Sequence, residues 1–96
     1  MTLKLTPKAL EYLRSRQIEA ITVDIESYGA SLPVAAATVT EAKPDSQFAY
    51  YTEYELAGIK VYVFEHMEFR GNVLTIDLKR QLFGKKILTA GELKLT

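Results

Sequence analysis

Polar and apolar positions alternate in short bursts along most of the chain, and only one stretch carries helical spacing. Ala9, Leu10 and Leu13, with Ile18 beyond them, form an apolar stripe near helical spacing. Thr6 is a good N-cap, and Pro7 follows at the first helical position, where a missing N–H is harmless. The pattern predicts a short helix from Pro7 that ends near Arg16 or Gln17, its basic last turn suiting the helix dipole. Before it, Leu3 and Leu5 flank Lys4, which predicts a short opening strand.

The remaining signals have a period of two. Ile21, Val23 and Ile25 oppose Thr22, Asp24 and Glu26, predicting a strand over residues 20–26. A loop follows from Ser27 to Pro33, where Gly29 can take a positive φ and Pro33 cannot join a ladder as a donor. Residues 34–40 are rich in Ala and β-branched side chains and read as a strand, and residues 43–46 read as a turn. Residues 48–56 alternate again, with Phe48, Tyr50, Thr52, Tyr54 and Leu56 on one face and Ala49, Tyr51, Glu53 and Glu55 on the other. After a turn at Ala57-Gly58, residues 59–64 and 74–78 each read as strands. Between them lies a polar connection over 65–72, with a helical turn closing on Arg70-Gly71-Asn72. Ile87-Leu88-Thr89 reads as one further short strand, which Gly91 would bend.

The sum is one N-terminal helix and about six short strands joined by short loops. A parallel crossover needs a dozen or more residues and usually a helix, so a βαβ repeat does not fit. The expected architecture is α+β, with mostly antiparallel or mixed strands folded on themselves as a small β-sandwich. A length of 96 residues supports one domain over 1–96.

Composition adds exclusions. With no cysteine, the chain has no disulfide, no thiolate nucleophile, no thiolate zinc site and no cysteine-held iron–sulfur cluster. Twelve basic and twelve acidic residues cancel, which removes the electrostatic footprint of a nucleic-acid binder. No segment approaches the ~20 apolar residues of a membrane span, and the N-terminus lacks the apolar stretch of a signal peptide. The expected compartment is the cytoplasm, with neither membrane nor nucleic acid as partner.

Three groups of side chains carry candidate chemistry. Tyr50, Tyr51 and Tyr54, with Tyr62 nearby and Glu53 and Glu55 among them, would build an aromatic, acidic binding face. The bland alternative is cross-strand aromatic pairing within an ordinary sheet. His66 lies in Glu65-His66-Met67-Glu68 and with Glu65, Glu68 or Glu53 would offer a metal site. One histidine among carboxylates is no metal signature, however, and a solvated loop histidine is the simpler reading. Lys79, Arg80, Lys85 and Lys86 make a basic cluster that suits a protected sheet edge. No phosphate-cradling glycine loop and no GxSxG elbow is present, so no enzymatic activity and no cofactor is expected.

The order of the motifs carries a resemblance. Leu5-Thr6-Pro7-Lys8-Ala9 opens the helix, and Ile21-Thr22-Val23-Asp24-Ile25 forms the first core strand before a glycine-containing loop. Gly58-Ile59-Lys60-Val61-Tyr62-Val63 and Leu74-Thr75-Ile76-Asp77-Leu78 follow late in the chain. This resembles the HesB/IscA-like family of A-type iron–sulfur carriers, with its LTxxA helix, its late GIxVxV strand and its xID strand. It is most similar to a small HesB-like branch with a CC or selenocysteine motif, which ends after a segment like Leu82-Phe83-Gly84-Lys85-Lys86-Ile87-Leu88.

The resemblance implies the fold of a carrier, whose cluster or iron is held by a cysteine after the first strand and a Cys-x-Cys pair near the C-terminus. Here the first position falls in Tyr28-Gly29-Ala30-Ser31, with Ala30 or Ser31 where the related branch has its cysteine or selenocysteine. The C-terminal pair has no counterpart in Thr89-Ala90-Gly91-Glu92. The chain reads as a member that kept the fold and lost the ligands, by descent or by engineering. The expected function is binding of a protein partner, a small ligand or a second copy, through Tyr28, Gly29, Ala30 and Ser31 with Tyr50, Tyr51 and Tyr54. Residual metal binding by His66 and nearby carboxylates is the alternative.

Overall fold

In the computed structural model the described residues are 1–27, 35–44, 48–65, 67–80 and 86–91. The elements are β1 (Thr2–Leu5), α1 (Pro7–Ser15), β2 (Ala20–Ser27), β3 (Ala35–Thr40), β4 (Tyr51–Leu56), β5 (Ile59–Phe64), β6 (Val73–Arg80) and β7 (Lys86–Thr89). They form a three-stranded sheet in the order β1-β6-β7 and a four-stranded sheet in the order β3-β2-β5-β4. The fold is α+β, as the alternation predicted. Both sheets are mixed: β1 runs parallel to β6 and β2 parallel to β5, while β3, β4 and β7 pair antiparallel.

Between the sheets lies one core. Ile21, Val23, Ile59, Val61 and Val63 come from the four-stranded sheet, and Leu74, Ile76 and Leu88 from the three-stranded one. Ala9 and Leu13 of α1 close it. Leu13, Ile21, Val23, Val61, Leu74 and Ile76 are fully buried, and burying each such side chain contributes about 1.5–3 kcal/mol.

Helix α1 begins and ends as its residues dictate. Thr6 takes an extended φ/ψ of −69°/155°, and its Oγ1 accepts from the Ala9 N–H at 3.2 Å. At the other end Gln17 sits at φ 57°, its N–H bonds to the Arg14 carbonyl at 3.1 Å, and the Ile18 N–H bonds to the Leu13 carbonyl at 2.8 Å. This is a Schellman cap built with glutamine where glycine is usual. The two-residue turn between β4 and β5 also needs left-handed backbone, which Ala57 (φ 53°) and Gly58 (φ 81°) supply.

Two segments differ from the pattern-based expectation. Phe48–Tyr50 is a short 3-10 turn, so β4 starts only at Tyr51. The connection expected to be polar over 65–72 buries Phe69 in the core, with Met67 packed against it. A single apolar residue between charges carries no period, which is why alternation missed it.

Candidate functional site

The face of the four-stranded sheet turned away from the core carries the polar chemistry of the middle of the chain. The registers place Thr22 beside Tyr62, Tyr62 beside Glu53, and Tyr51 beside Phe64. Asp24 follows Val23 and therefore projects from the same outer face as Thr22. Because β5 lies between β2 and β4, the Tyr51 side chain must pass over Phe64 to reach Asp24. It does so: the Tyr51 and Phe64 rings meet edge-on at 5.6 Å, and the Tyr51 hydroxyl donates to Asp24 Oδ2 at 2.5 Å. A phenol donating to a carboxylate at this distance is a strong, charge-assisted bond.

Beside this pair, the Tyr62 hydroxyl donates to Glu53 across the β4–β5 ladder. That bond, with burial and the Glu53 charge, raises the Tyr62 phenol above its ordinary value of 10.0. Thr22 is buried, and its Oγ1 donates to the Ala42 carbonyl at 2.6 Å. Residue 42 belongs to the connection from β3 to β4, which has to travel from one edge of the sheet to the other.

A third phenol–carboxylate pair ties the helix to the end of β3. The Tyr12 hydroxyl donates to Glu41 Oε1 at 2.8 Å, and this bond holds the Tyr12 phenol above 10.0. The Arg16 guanidinium lies 5.0 Å from the Tyr12 ring centroid.

The two motifs at the ends of the chain meet through their polar residues. The Thr6 hydroxyl donates to Asp77 Oδ1 at 2.8 Å, and the same oxygen accepts from the Leu78 N–H at 2.8 Å. Thr6 thus caps α1 and binds β6 with one oxygen atom. The Thr6 bond, then the Leu78 bond, with smaller help from Lys8 and Lys79, hold the Asp77 carboxyl below its ordinary 3.8. Reading along the sequence found the Thr6 cap but missed its partner at a separation of 71 positions.

The expected tyrosine face is divided. Tyr51 points to the outer face and Asp24, whereas Tyr54, opposite Val61, packs against the core. Tyr50 sits in the 3-10 turn, 52% exposed, with its carbonyl accepting from the Glu65 N–H. Successive strand residues alternate between faces, so Tyr51 and Tyr54 do not share a surface. Tyr28, Gly29, Ala30 and Ser31 lie outside the described residues, as does His66. Of the carboxylates considered with His66, Glu65 and Glu68 are exposed and Glu53 accepts the Tyr62 bond.

Chemically, the outer face offers carboxylates and phenols, with each of these phenol protons held in a bond to a carboxylate. Among the described residues no group of three or more histidine, cysteine, aspartate or glutamate side chains could hold a metal ion. Thiolates are missing from the whole sequence. This donor set does not fit an iron–sulfur cluster, which is held by thiolates. Among the described residues no helix is long and apolar enough to cross a membrane.

Comparison with known proteins places the chain. A family model for the CC/Se motif containing family matches residues 1–92. Among solved structures, IscA with the [2Fe-2S] cluster superimposes with a TM-score of 0.63 at 14% identity, covering 95% of this chain and 85% of that one. SufA of Escherichia coli, involved in biosynthesis of iron-sulfur clusters, gives a TM-score of 0.63 at 16% identity, covering 95% of this chain and 80% of that one. These likenesses establish an IscA-like fold. No curated protein matches the chain.

Proposed function

The chain belongs to the CC/Se motif containing family, and from that premise we propose a non-catalytic binding protein, an accessory to iron–sulfur biogenesis that holds no cluster through cysteine. One observation carries this reading: a fold shared with IscA and SufA occurs in a chain with no cysteine. Cluster chemistry on this fold would need soft sulfur donors, and the outer face offers hard oxygen donors already engaged in hydrogen bonds. What the scaffold retains is surface for recognition. Tyr50 and Tyr51 lie at adjoining positions where the 3-10 turn enters β4, and they present aromatic area of the kind that protein interfaces favour.

Anaerobic reconstitution with iron and sulfide, followed by visible absorption, tests the first half. The expected result is no stable chromophore after desalting; a stable one would overturn the reading. Partner capture from a lysate tests the second half. Tyr50→Ala, at an exposed position, should weaken capture without changing the melting temperature. An unchanged set of captured partners with Tyr50→Ala and with Tyr51→Phe would remove these tyrosines from the binding surface. Tyr54→Ala is unsuited to this test, because Tyr54 packs against the core.

A further inference from the structure

The four-stranded sheet ends at β4, and the hydrogen-bond phase of the β4–β5 hairpin decides which backbone groups face outward. In an antiparallel ladder, bonded and non-bonded pairs alternate. The Glu65 N–H bonds to the Tyr50 carbonyl at 2.8 Å, which marks that pair as bonded. Stepping by two along the register, Thr52 with Val63, Tyr54 with Val61 and Leu56 with Ile59 are also bonded pairs. The N–H and C=O groups of Glu53 and Glu55 therefore point away from β5, toward the outer side of β4. Among the described residues no strand lies beyond β4, and none of them forms a backbone bond with those groups.

The same two residues carry the edge's charge. Glu53 and Glu55 are exposed and project on the outer face, while Tyr54 and Leu56 on the other face are half-buried where the core meets the edge. We propose that the β4 edge is a docking site for an extended protein segment in which basic and apolar side chains alternate. Such a segment would add a strand, with its backbone on Glu53 and Glu55. Its basic side chains would lie beside the two carboxylates and its apolar ones beside Tyr54 and Leu56. A second copy of β4 does not fit, because antiparallel self-pairing sets the two glutamate rows against each other. No proline and no lysine on β4 blocks the approach of a strand.

This inference rests on the binding-protein reading and names one surface and one partner chemistry for it. The probe is a peptide of alternating lysine and valine, as long as the 6-residue β4. The readout is residue-resolved amide exchange by NMR. In the free protein the Glu53 and Glu55 amides exchange fast, while those of Tyr54 and Leu56 are protected. Peptide binding should protect Glu53 and Glu55. The double variant Glu53→Lys/Glu55→Lys should weaken the lysine peptide at least about fivefold, since it turns two opposite-charge neighbours into like-charge ones. The same variant should gain a peptide of alternating glutamate and valine.

Glu55→Pro serves as a second variant. It removes an outward N–H without cutting a bond to β5, and proline is tolerated on such an edge. It should abolish protection at Glu53 while the β5 amides stay protected. No protection of Glu53 and Glu55 at millimolar peptide, or binding indifferent to charge reversal, overturns the proposal. In that case reconstitution and Tyr50 capture still judge the broader reading separately, and a chromophore there leaves the edge result standing.

Discussion

Replacing Thr6 by Val asks how much one oxygen atom contributes to joining the two ends of the chain. Valine keeps the shape and the β-branch, so the extended φ/ψ of the cap position is retained. What disappears is the Oγ1 that accepts from Ala9 at 3.2 Å and donates to Asp77 at 2.8 Å. The Thr6 N–H bond to the Ile76 carbonyl at 3.0 Å is a backbone bond and survives. Loss of an N-cap threonine costs about 1 kcal/mol, within a range of roughly 0.5–2. For a domain of 60–100 residues, 1 kcal/mol corresponds to a melting-point change of roughly 4–8 °C. Thermal unfolding followed by circular dichroism should therefore show Thr6→Val melting about 4–8 °C below the wild type at neutral pH. Thr6→Ser, which keeps the oxygen, should lose less than half of that.

Titration of the same pair adds a second arm. Asp77 has a folded pKa below its ordinary 3.8, so its contribution to stability is present above that value and is lost as pH falls through the folded pKa. The gap between wild type and Thr6→Val should narrow once the pH drops below 3.8. It should not vanish, because the Ala9 bond does not depend on Asp77. Equal melting temperatures at neutral pH, or a gap independent of pH, would refute the reasoning.

Other expectations follow from the same structure. Leu74→Ala, at a fully buried position between β1 and β7, should cost about 2–5 kcal/mol, visible as a lower midpoint in urea unfolding. Gln17→Gly should raise the melting temperature, since glycine relieves the left-handed residue of the Schellman cap, a strain of about 1 kcal/mol. Ala57→Asn should do the same at the β4–β5 turn, and a lower melting temperature for either variant would count against the cap and turn geometry. In an ultraviolet titration of the 6 tyrosines, Tyr12 and Tyr62 should ionise late, and Glu41→Gln and Glu53→Gln should each bring one of them back toward 10.0. Since both phenols are raised, their contribution to the folded state is fully present below the ordinary value and is lost as pH climbs through the raised, folded value.

By itself the sequence determined the local structure and the missing chemistry. A helix from Thr6 and Pro7, the strands at Ile21, Ile59 and Leu74 and the turn at Ala57-Gly58 follow from periods and caps, which act over a few neighbouring residues. The count of zero cysteines needs no fold at all to exclude thiolate ligands. Only the tertiary structure decided what distant residues do to one another. The parallel pairs β1–β6 and β2–β5 join strands far apart in sequence, and no local signal encodes such a register. Strand parity split the tyrosines, sending Tyr51 over Phe64 to Asp24 and Tyr54 into the core. The same geometry turned Thr6 and Asp77, a helix cap and a polar strand residue, into one bonded pair. It also placed Glu53 and Glu55 on β4, the outermost strand of its sheet among the described residues. Alternation shows which residues share a face, but the contents of each face depend on which strands lie beside it.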